Sequence, residues 1–192
     1  SIGTVTVKVQ SRNYYDFNVV ITVNAANKLV PTGEPKLDKT AITYGETIGS
    51  ITLSGSMTAG GETVKGTFTW DDPSATPNAQ TAYQAAWTFT PNDTQHYLEA
   101  HGTAGIDISP KPITNASITL GDSLTYNGTE QTQTVRSVKL GELNVTYTVS
   151  GNTATNAGEY TLTVTGTGNY TGTAKTTFTV APKSIEGAAV TA

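Results

Sequence analysis

Two histidines are the side chains of this sequence best suited to proton transfer at neutral pH. They are His96 and His101, and the 192-residue chain contains no cysteine. Nucleophilic catalysis needs a nucleophile held within hydrogen-bond reach of a base, and no G-x-S-x-G elbow supplies one. Five positions apart on one strand, the two imidazoles would face opposite sides of a sheet. The sequence predicts two surface histidines near a turn, in a protein that is not an enzyme.

Acidic residues in two loops are the candidates for a metal site. Asp71 and Asp72 are adjacent, and Asp93 stands in a second loop. Calcium prefers several hard oxygen ligands that converge from loops, so these three carboxylates would bind it if the loops met. No EF-hand spacing is present, and Asp before Pro and Asn-Asp are ordinary turn formers. We therefore expect no metal and no cofactor.

Aromatic residues could instead form a ligand surface, because their rings stack on sugars and pack against partner proteins. Trp70, Tyr15 and Tyr97 are the candidates for such a surface. The alternation of the sequence gives a competing interpretation for the tryptophans. Trp70 is in phase with Phe68, and Trp87 is in phase with other apolar residues of its own stretch. We predict that both indoles face a core.

An internal Lys–Asn cross-link is a third kind of chemistry to consider. It needs a buried lysine, an asparagine and an acid in contact, and Lys139, Lys175 and Asn144 qualify by residue type alone. A mass one ammonia below the sequence mass would reveal the bond. The prediction is that it does not form.

The elements that carry these residues show period-2 alternation, with aromatic or branched residues on one face and Thr on the other. The residues predicted to face a core are Val64, Phe68, Trp70, Tyr83, Ala85, Trp87, Phe89, Val145, Tyr147, Val149, Tyr160, Leu162, Val164, Phe178 and Val180. Such alternation is typical of half-buried antiparallel sheets. The predicted fold is all-β, with tandem small antiparallel β-sandwich (Ig-like) modules in an elongated array. The alternative is β-grasp-like modules, which would need a helix that the sequence does not show.

An internal repeat sets the predicted domain organisation. The stretch "NAGEYTLTVTGTGNYTGTAKTTFTVAPK" recurs in altered form near the middle of the chain and, in part, at its start. Residues 1–27 are predicted to be a two-strand remnant of a preceding repeat plus a linker. Residues 28–110 and 111–182 are predicted to be complete β repeats, and residues 183–192 the start of a following one. Two strands are marginally stable alone, so we expect those in 1–27 to lie against another part of this chain or a neighbouring copy.

Composition and charge exclude several classes of partner. The net charge is −4 and the 11 Lys and Arg residues do not cluster, so nucleic acid is not an expected partner. No apolar run approaches the roughly 18–20 residues that cross a bilayer, so membrane insertion is not expected. A chain of this size without cysteine differs from the disulfide-rich modules that eukaryotic cells secrete.

The motifs of the first complete unit, "ITYGETIGSITLSG", "GTFTWDDPSATP" and "WTFTPNDTQHY", carry a family resemblance. The chain resembles the repeat modules of large Gram-positive surface proteins, described as bacterial Ig-like or MBG-type (YGX-type) repeats. The last unit, with "LTYNGTEQ" and "NAGEYTLTVTGTGNYTG", is similar to a related variant. The resemblance implies an extracellular, cell-wall-associated setting, and no catalytic residues.

We expect a non-catalytic spacer or stalk region of a bacterial cell-surface protein, with neighbouring repeats of the same parent chain as partners. The alternative is a binding module that uses exposed aromatic residues to recognise a host glycan or protein.

Overall fold

Short strands and turns make up the described chain. The computed structural model describes residues 3–10, 12–23 and 27–186, and these contain no α-helix and one 3-10 turn, Ile48–Ser50. About a fifth of the residues are Thr, whose branched Cβ favours extended backbone over helix. The all-β prediction is confirmed. In the same residues, no helix has the length and apolarity that crossing a bilayer requires.

Most strands are short, and prolines follow the ends of two of the longest. The strands of the N-terminal half are β1 (Gly3–Val9), β2 (Phe17–Val23), β3 (Lys36–Leu37), β4 (Ala41–Thr43), β5 (Leu53–Ser54), β6 (Met57–Ala59), β7 (Glu62–Val64), β8 (Gly66–Trp70), β9 (Gln80–Pro91) and β10 (Ala100–Ser109). Those that follow are β11 (Lys111–Pro112), β12 (Ser117–Leu120), β13 (Leu124–Thr125), β14 (Gln131–Thr132), β15 (Val135–Leu140), β16 (Leu143–Asn144), β17 (Tyr147–Ser150), β18 (Thr153–Ala154), β19 (Gly158–Gly166), β20 (Tyr170–Thr171) and β21 (Thr173–Ala181). Pro110 directly follows β10 and Pro182 directly follows β21, because proline has no N–H to donate to a ladder.

Two four-stranded sheets have the same internal order. One runs β4-β10-β9-β8 and the other β13-β21-β19-β17. In each, the strand at one edge runs parallel to its neighbour, with Ile42 opposite Ile108 and Leu124 opposite Val180. The prediction of purely antiparallel sheets is therefore wrong at this edge. Alternation is a local property of one strand and carries no information about the direction of the strand beside it.

Shorter strands pair outside these two sheets. They form the groups β12-β15-β16, β14-β18, β3-β5, β6-β7 and β11-β20. The last pair is parallel, with Lys111 opposite Tyr170, and it joins the start of the predicted second repeat to the short strand β20 near the end of that repeat. Lys111 and Tyr170 also belong to the candidate functional site.

The chain divides into two compact units that do not follow the sequence repeats. The first contains residues up to Leu37, Leu53–Asp71 and Ala86–Gly102, and the second contains Asp38–Thr52, Asp72–Ala85 and the chain from Thr103 onward. The repeat boundaries 28–110 and 111–182 therefore stay predictions.

The first unit has an aromatic core. Its buried apolar residues are Met57, Ala59, Val64, Phe68, Trp70, Trp87, Phe89 and Ala100. Phe68 lies edge-to-face on Trp87, with 5.4 Å between ring centroids, and 4.7 Å from the ring of Phe89. Gly102 lies against the Trp87 indole so closely that a Cβ would overlap the ring. Burial of both tryptophans confirms the prediction from alternation, and the position of the Trp87 ring requires glycine at position 102.

The second unit has a largely aliphatic core around β19 and β21. Its buried residues include Ile113, Val138, Val145, Ala154, Leu162, Val164, Tyr170, Ala174, Phe178 and Val180. Tyr160 stacks on Phe178 at 5.6 Å between ring centroids. The alternation placed Leu162, Val164 and Phe178 on the inward face correctly, since burial on one face of a strand is a period-2 property.

The N-terminal hairpin of β1 and β2 differs from the expectation. Every side chain of it that is described is exposed, including those of Val7, Phe17 and Ile21. The prediction that it lies against another part of this chain is thus wrong for the described residues, while packing against a neighbouring copy stays a prediction. The reason is that an apolar face indicates that a strand would be stabilised by packing, but it does not determine which other strands pack on it. The segment 183–192, predicted to start a new repeat, is described only as far as Glu186 and has no strand there.

Candidate functional site

An Asp–Thr–His chain occupies the surface of the first unit. The Thr88 hydroxyl donates to Oδ1 of Asp71 at 2.7 Å, and Nδ1 of His101 lies 2.8 Å from the same hydroxyl oxygen. Because the one hydroxyl proton points to the carboxylate, Nδ1 must be protonated and donate to Thr88. The imidazole is therefore not a base toward this hydroxyl. These three residues lack the relay that activates a nucleophile. His96 is elsewhere, in the turn after β9.

Each of the three candidate calcium ligands accepts a hydrogen bond from another residue of the chain. Asp71 accepts from Thr88, Asp72 accepts from the backbone N–H and hydroxyl of Ser74, and Asp93 contacts Nδ1 of His96 at 2.7 Å. The hydrogen bond from His96 is the main cause that lowers the pKa of Asp93 below its ordinary value. Within residues 3–10, 12–23 and 27–186, no three Asp, Glu or His side chains cluster in a way that could hold a metal. Asp72 and Asp93 stabilise their own turns, which is the ordinary role of Asp in loops, while Asp71 bonds to Thr88 on β9.

The three candidate ligand-binding aromatics lie in different surroundings. Trp70 is 9% exposed and lies directly opposite Trp87, which is 3% exposed, across β8 and β9. Tyr97 is half-buried and bridges to Leu29. Tyr15 is 97% exposed, and with Arg12, Asn13 and Tyr14 it lines an open depression of about 430 Å³ at the tip of the N-terminal hairpin. Of the three, only Tyr15 presents its whole ring to solvent.

Of the candidate cross-link residues, one lysine lies next to the asparagine and the other does not. Lys139 and Asn144 are directly opposite each other on β15 and β16, but both are exposed. Lys175 is opposite Thr163 on β19 and is also exposed. Exposure removes the buried environment that the reaction needs.

A side-chain contact that joins the two predicted repeats lies within the second unit. Asn169, in the loop before β20, accepts a hydrogen bond from the backbone N–H of Ala79 at 2.8 Å. Its amide nitrogen donates to Oδ1 of Asn78 at 2.9 Å, and its backbone oxygen accepts from Lys111 N–H at 2.8 Å. One asparagine thus holds a loop of the first repeat and the strand that begins the second. We call the contacts of Asn169 and Tyr170 with Tyr44, Asn78, Ala79 and Lys111 the joint.

A tyrosine pair forms the apolar part of the joint. The rings of Tyr44 and Tyr170 meet edge-to-face with 5.6 Å between centroids. Tyr170 is buried and donates its hydroxyl to the backbone oxygen of Asn144 at 3.0 Å. Burial raises the pKa of Tyr170, and the nearby phenol of Tyr44 adds to the rise. Tyr44 is itself fixed by a backbone hydrogen bond from its N–H to Ser109 at 2.9 Å. The joint therefore combines directed hydrogen bonds with a packed aromatic contact, which a loose linker does not have.

The sequence alone does not indicate a role for the joint residues. Asn78 and Asn169 were part of motifs, "NAQ" and Asn-Tyr, that recur at matched places in the repeat. That recurrence was the available signal, because a loop motif that repeats with the module has a reason beyond forming a turn.

Comparison of the chain with protein-family models, with curated proteins and with solved structures gave no match.

Proposed function

We propose that the chain is a non-catalytic spacer region of a bacterial cell-surface protein, built of tandem Ig-like modules and located outside the cell at the cell wall. The observation that carries the proposal is the joint, in which Asn169 and Tyr170 of one repeat are held by Tyr44, Asn78 and Ala79 of the other. A spacer has to resist bending between modules. A contact made of two side-chain hydrogen bonds and a tyrosine pair provides that resistance without binding any ligand.

The sheet order supports the Ig-like assignment of the modules. In the second repeat β17, β19 and β21 are adjacent in that order, and in the first repeat β8, β9 and β10 are. Ig sandwiches place their C, F and G strands side by side in the same way. The β-grasp alternative needs a helix, and the described residues contain no α-helix.

The test of the spacer function is a distance distribution across the joint. Thr81→Cys in β9 and Thr148→Cys in β17 are exposed strand positions, and the natural chain has no cysteine to compete for spin labels. Pulsed electron resonance should give one narrow distance distribution in the parent and a clearly broader one with Asn169→Ala. Asn156→Ala, which changes an asparagine of the matching loop outside the joint, is the control and should leave the distribution narrow. A broad distribution in the parent would reject a spacer that resists bending at this joint.

A binding function is the second candidate, and one observation favours it. Tyr14 and Tyr15 are 82% and 97% exposed and stand beside Arg12 in the open depression. Aromatic faces next to a polar side chain suit the apolar and hydroxyl faces of a pyranose. Screening the full chain on a glycan array tests this, with Tyr15→Ala expected to abolish any signal and Leu143→Ala, an exposed position far along the chain, expected to preserve it. No signal from the parent would count against this candidate.

A further inference from the structure

The N-terminal hairpin has the strand register of the hairpin in the second repeat. In β1 and β2, Val5 is opposite Ile21 and Val9 is opposite Phe17. The corresponding pairs in β19 and β21 are Tyr160 with Phe178 and Val164 with Ala174. Gly3 starts the first hairpin opposite Val23 as Gly158 starts the second opposite Val180, and only the connection between the strands is shorter, by two residues. The two hairpins are therefore equivalent parts of a module.

The two hairpins differ in what surrounds them. The hairpin of β19 and β21 is flanked by β17 on one side and β13 on the other, and its apolar face is buried. The hairpin of β1 and β2 is a two-stranded sheet. Its apolar face is exposed; the side chains on that face are Val5, Val7, Val9, Phe17, Val19 and Ile21. It is a surface with the chemistry of a module core.

A second exposed feature lies at the other end of the described chain. Three segments hold matching places ahead of a predicted repeat, namely 29–31, 111–113 and 183–185, and the last two are similar in sequence, Lys-Pro-Ile and Lys-Ser-Ile. In the first two, the leading residue pairs in parallel with the tyrosine of a turn, Leu29 with Tyr97 and Lys111 with Tyr170. The third residue is then fully buried, as Pro31 and as Ile113. In the third segment the same position is Ile185, and it is 84% exposed.

Tyr126 completes this second surface, because it is placed as Tyr44 is placed in the joint. Tyr44 N–H donates to Ser109 at the end of β10, and Tyr126 N–H donates to Ala181 at the end of β21, at 2.9 and 2.8 Å. Tyr44 packs on the tyrosine of the next module's turn. Tyr126 is 38% exposed. The end of the second repeat thus presents half of a second joint.

We propose that the N-terminal hairpin of one copy of this chain docks on the tail surface of a second copy, formed by Tyr126 and residues 183–185. Tyr14 takes the place that Tyr170 has in the joint and packs on Tyr126 of the other copy. The backbone of Lys183 forms a parallel β-pair with Tyr14 of the other copy, as the backbone of Lys111 does with Tyr170. Ile185 then lies on the apolar face of the hairpin, as Ile113 lies among Leu162, Val164 and Phe178.

A second copy is the occupant because both halves of the contact are on one chain and both repeat a contact that the chain already makes within itself. The two surfaces are different, so the association is heterologous and each copy offers one of each. Apolar side chains on both partners become buried, which is the main source of affinity. The inference goes beyond the spacer function, because it concerns what binds the two surfaces and not the joint between the repeats.

Sedimentation of the full chain over a concentration series tests the proposal. The parent should associate as concentration rises. Val7→Lys on the apolar face of the hairpin and Ile185→Asp on the tail should each weaken association at least tenfold. Val20→Lys, on the opposite face of the same hairpin, and Leu143→Asp, at an exposed site outside both surfaces, are matched controls and should associate like the parent.

Mixing the Val7→Lys variant with the Ile185→Asp variant gives the decisive result. The Val7→Lys chain keeps its tail and the Ile185→Asp chain keeps its hairpin, so at a concentration where each alone is mostly monomeric an equimolar mixture should form a one-to-one dimer. A parent that stays monomeric at every concentration would overturn the proposal. So would a mixture that stays monomeric, or controls that weaken association as much as the test variants do. None of these results bears on the joint, which the spin-label distances measure separately.

Discussion

The two equivalent hairpins show how far a local sequence determines a local structure. β1 and β2 pair in the same register as β19 and β21, although one hairpin is covered and the other is exposed. The register therefore follows from alternation, which is a local property, and it is the same although the first connection is two residues shorter. Burial follows from the strands on either side, which come from distant parts of the chain. The same face is a core in one setting and an exposed surface in the other.

The largest expected effect is on the aromatic core of the first unit. Trp87→Ala should lower the free energy of unfolding by about 3–5 kcal/mol, because it removes a buried indole and leaves a cavity. Both tryptophans of the chain are in this unit, so fluorescence of the remaining Trp70 during denaturant unfolding measures the change. A loss below about 1 kcal/mol would place Trp87 outside the core.

Trp87→Phe sharpens that result. Among the described residues, no acceptor reaches Nε1 of Trp87. Phenylalanine keeps the packing on Phe68 and removes an unsatisfied N–H, so its cost should be about 1–2 kcal/mol and well below that of alanine. Equal costs for the two substitutions would show that the indole nitrogen has a partner.

A matched pair of substitutions tests the hairpin comparison directly. Leu162 in β19 is fully buried, and Val7, its equivalent in β1, is 45% exposed. Leu162→Ala should cost about 2–5 kcal/mol, while Val7→Ala at low protein concentration should cost no more than about 0.5 kcal/mol. Thermal and denaturant unfolding followed by circular dichroism measure both. Similar losses in the free energy of unfolding would mean that the two hairpins do not differ in how their apolar faces are packed.

Much of the fold could be predicted from the sequence, and the limits have a physical cause. Alternation placed Phe68, Trp87 and Val164 in cores because the facing of a side chain depends only on its own strand. It did not predict that β4 and β13 run parallel to their neighbours, or that the β1–β2 hairpin is exposed, because both depend on residues far away in sequence.

The candidate site shows the same division. Tyr15, Trp70 and Tyr97 are candidates by residue type, and type does not specify exposure; of the three, only Tyr15 presents its whole ring to solvent. The role of Asn169 depends on Asn78 and Ala79, about ninety positions earlier in the chain. No local pattern brings such distant residues together.

The smallest expected effect is a pH dependence at the turn after β9. The hydrogen bond from His96 lowers the pKa of Asp93, so the contribution of this group to stability is present above its unfolded pKa of about 3.9 and is lost as pH falls through the lower, folded value. His96→Ala should return the pKa of Asp93 toward its ordinary value. Titration of the carboxyl by nuclear magnetic resonance measures it, and an unchanged pKa would remove His96 as the cause.

Hydrogen exchange at one backbone amide tests the joint most directly. The N–H of Ala79 lies in a loop, and its hydrogen-bond acceptor is the side chain of Asn169 in the other repeat. In the full chain this amide should exchange about as slowly as amides of the β19–β21 ladder, and Asn169→Ala should bring it to the rate of an open loop. If the Ala79 amide already exchanges at a loop rate in the unaltered chain, the repeats are not held together there and the spacer account fails.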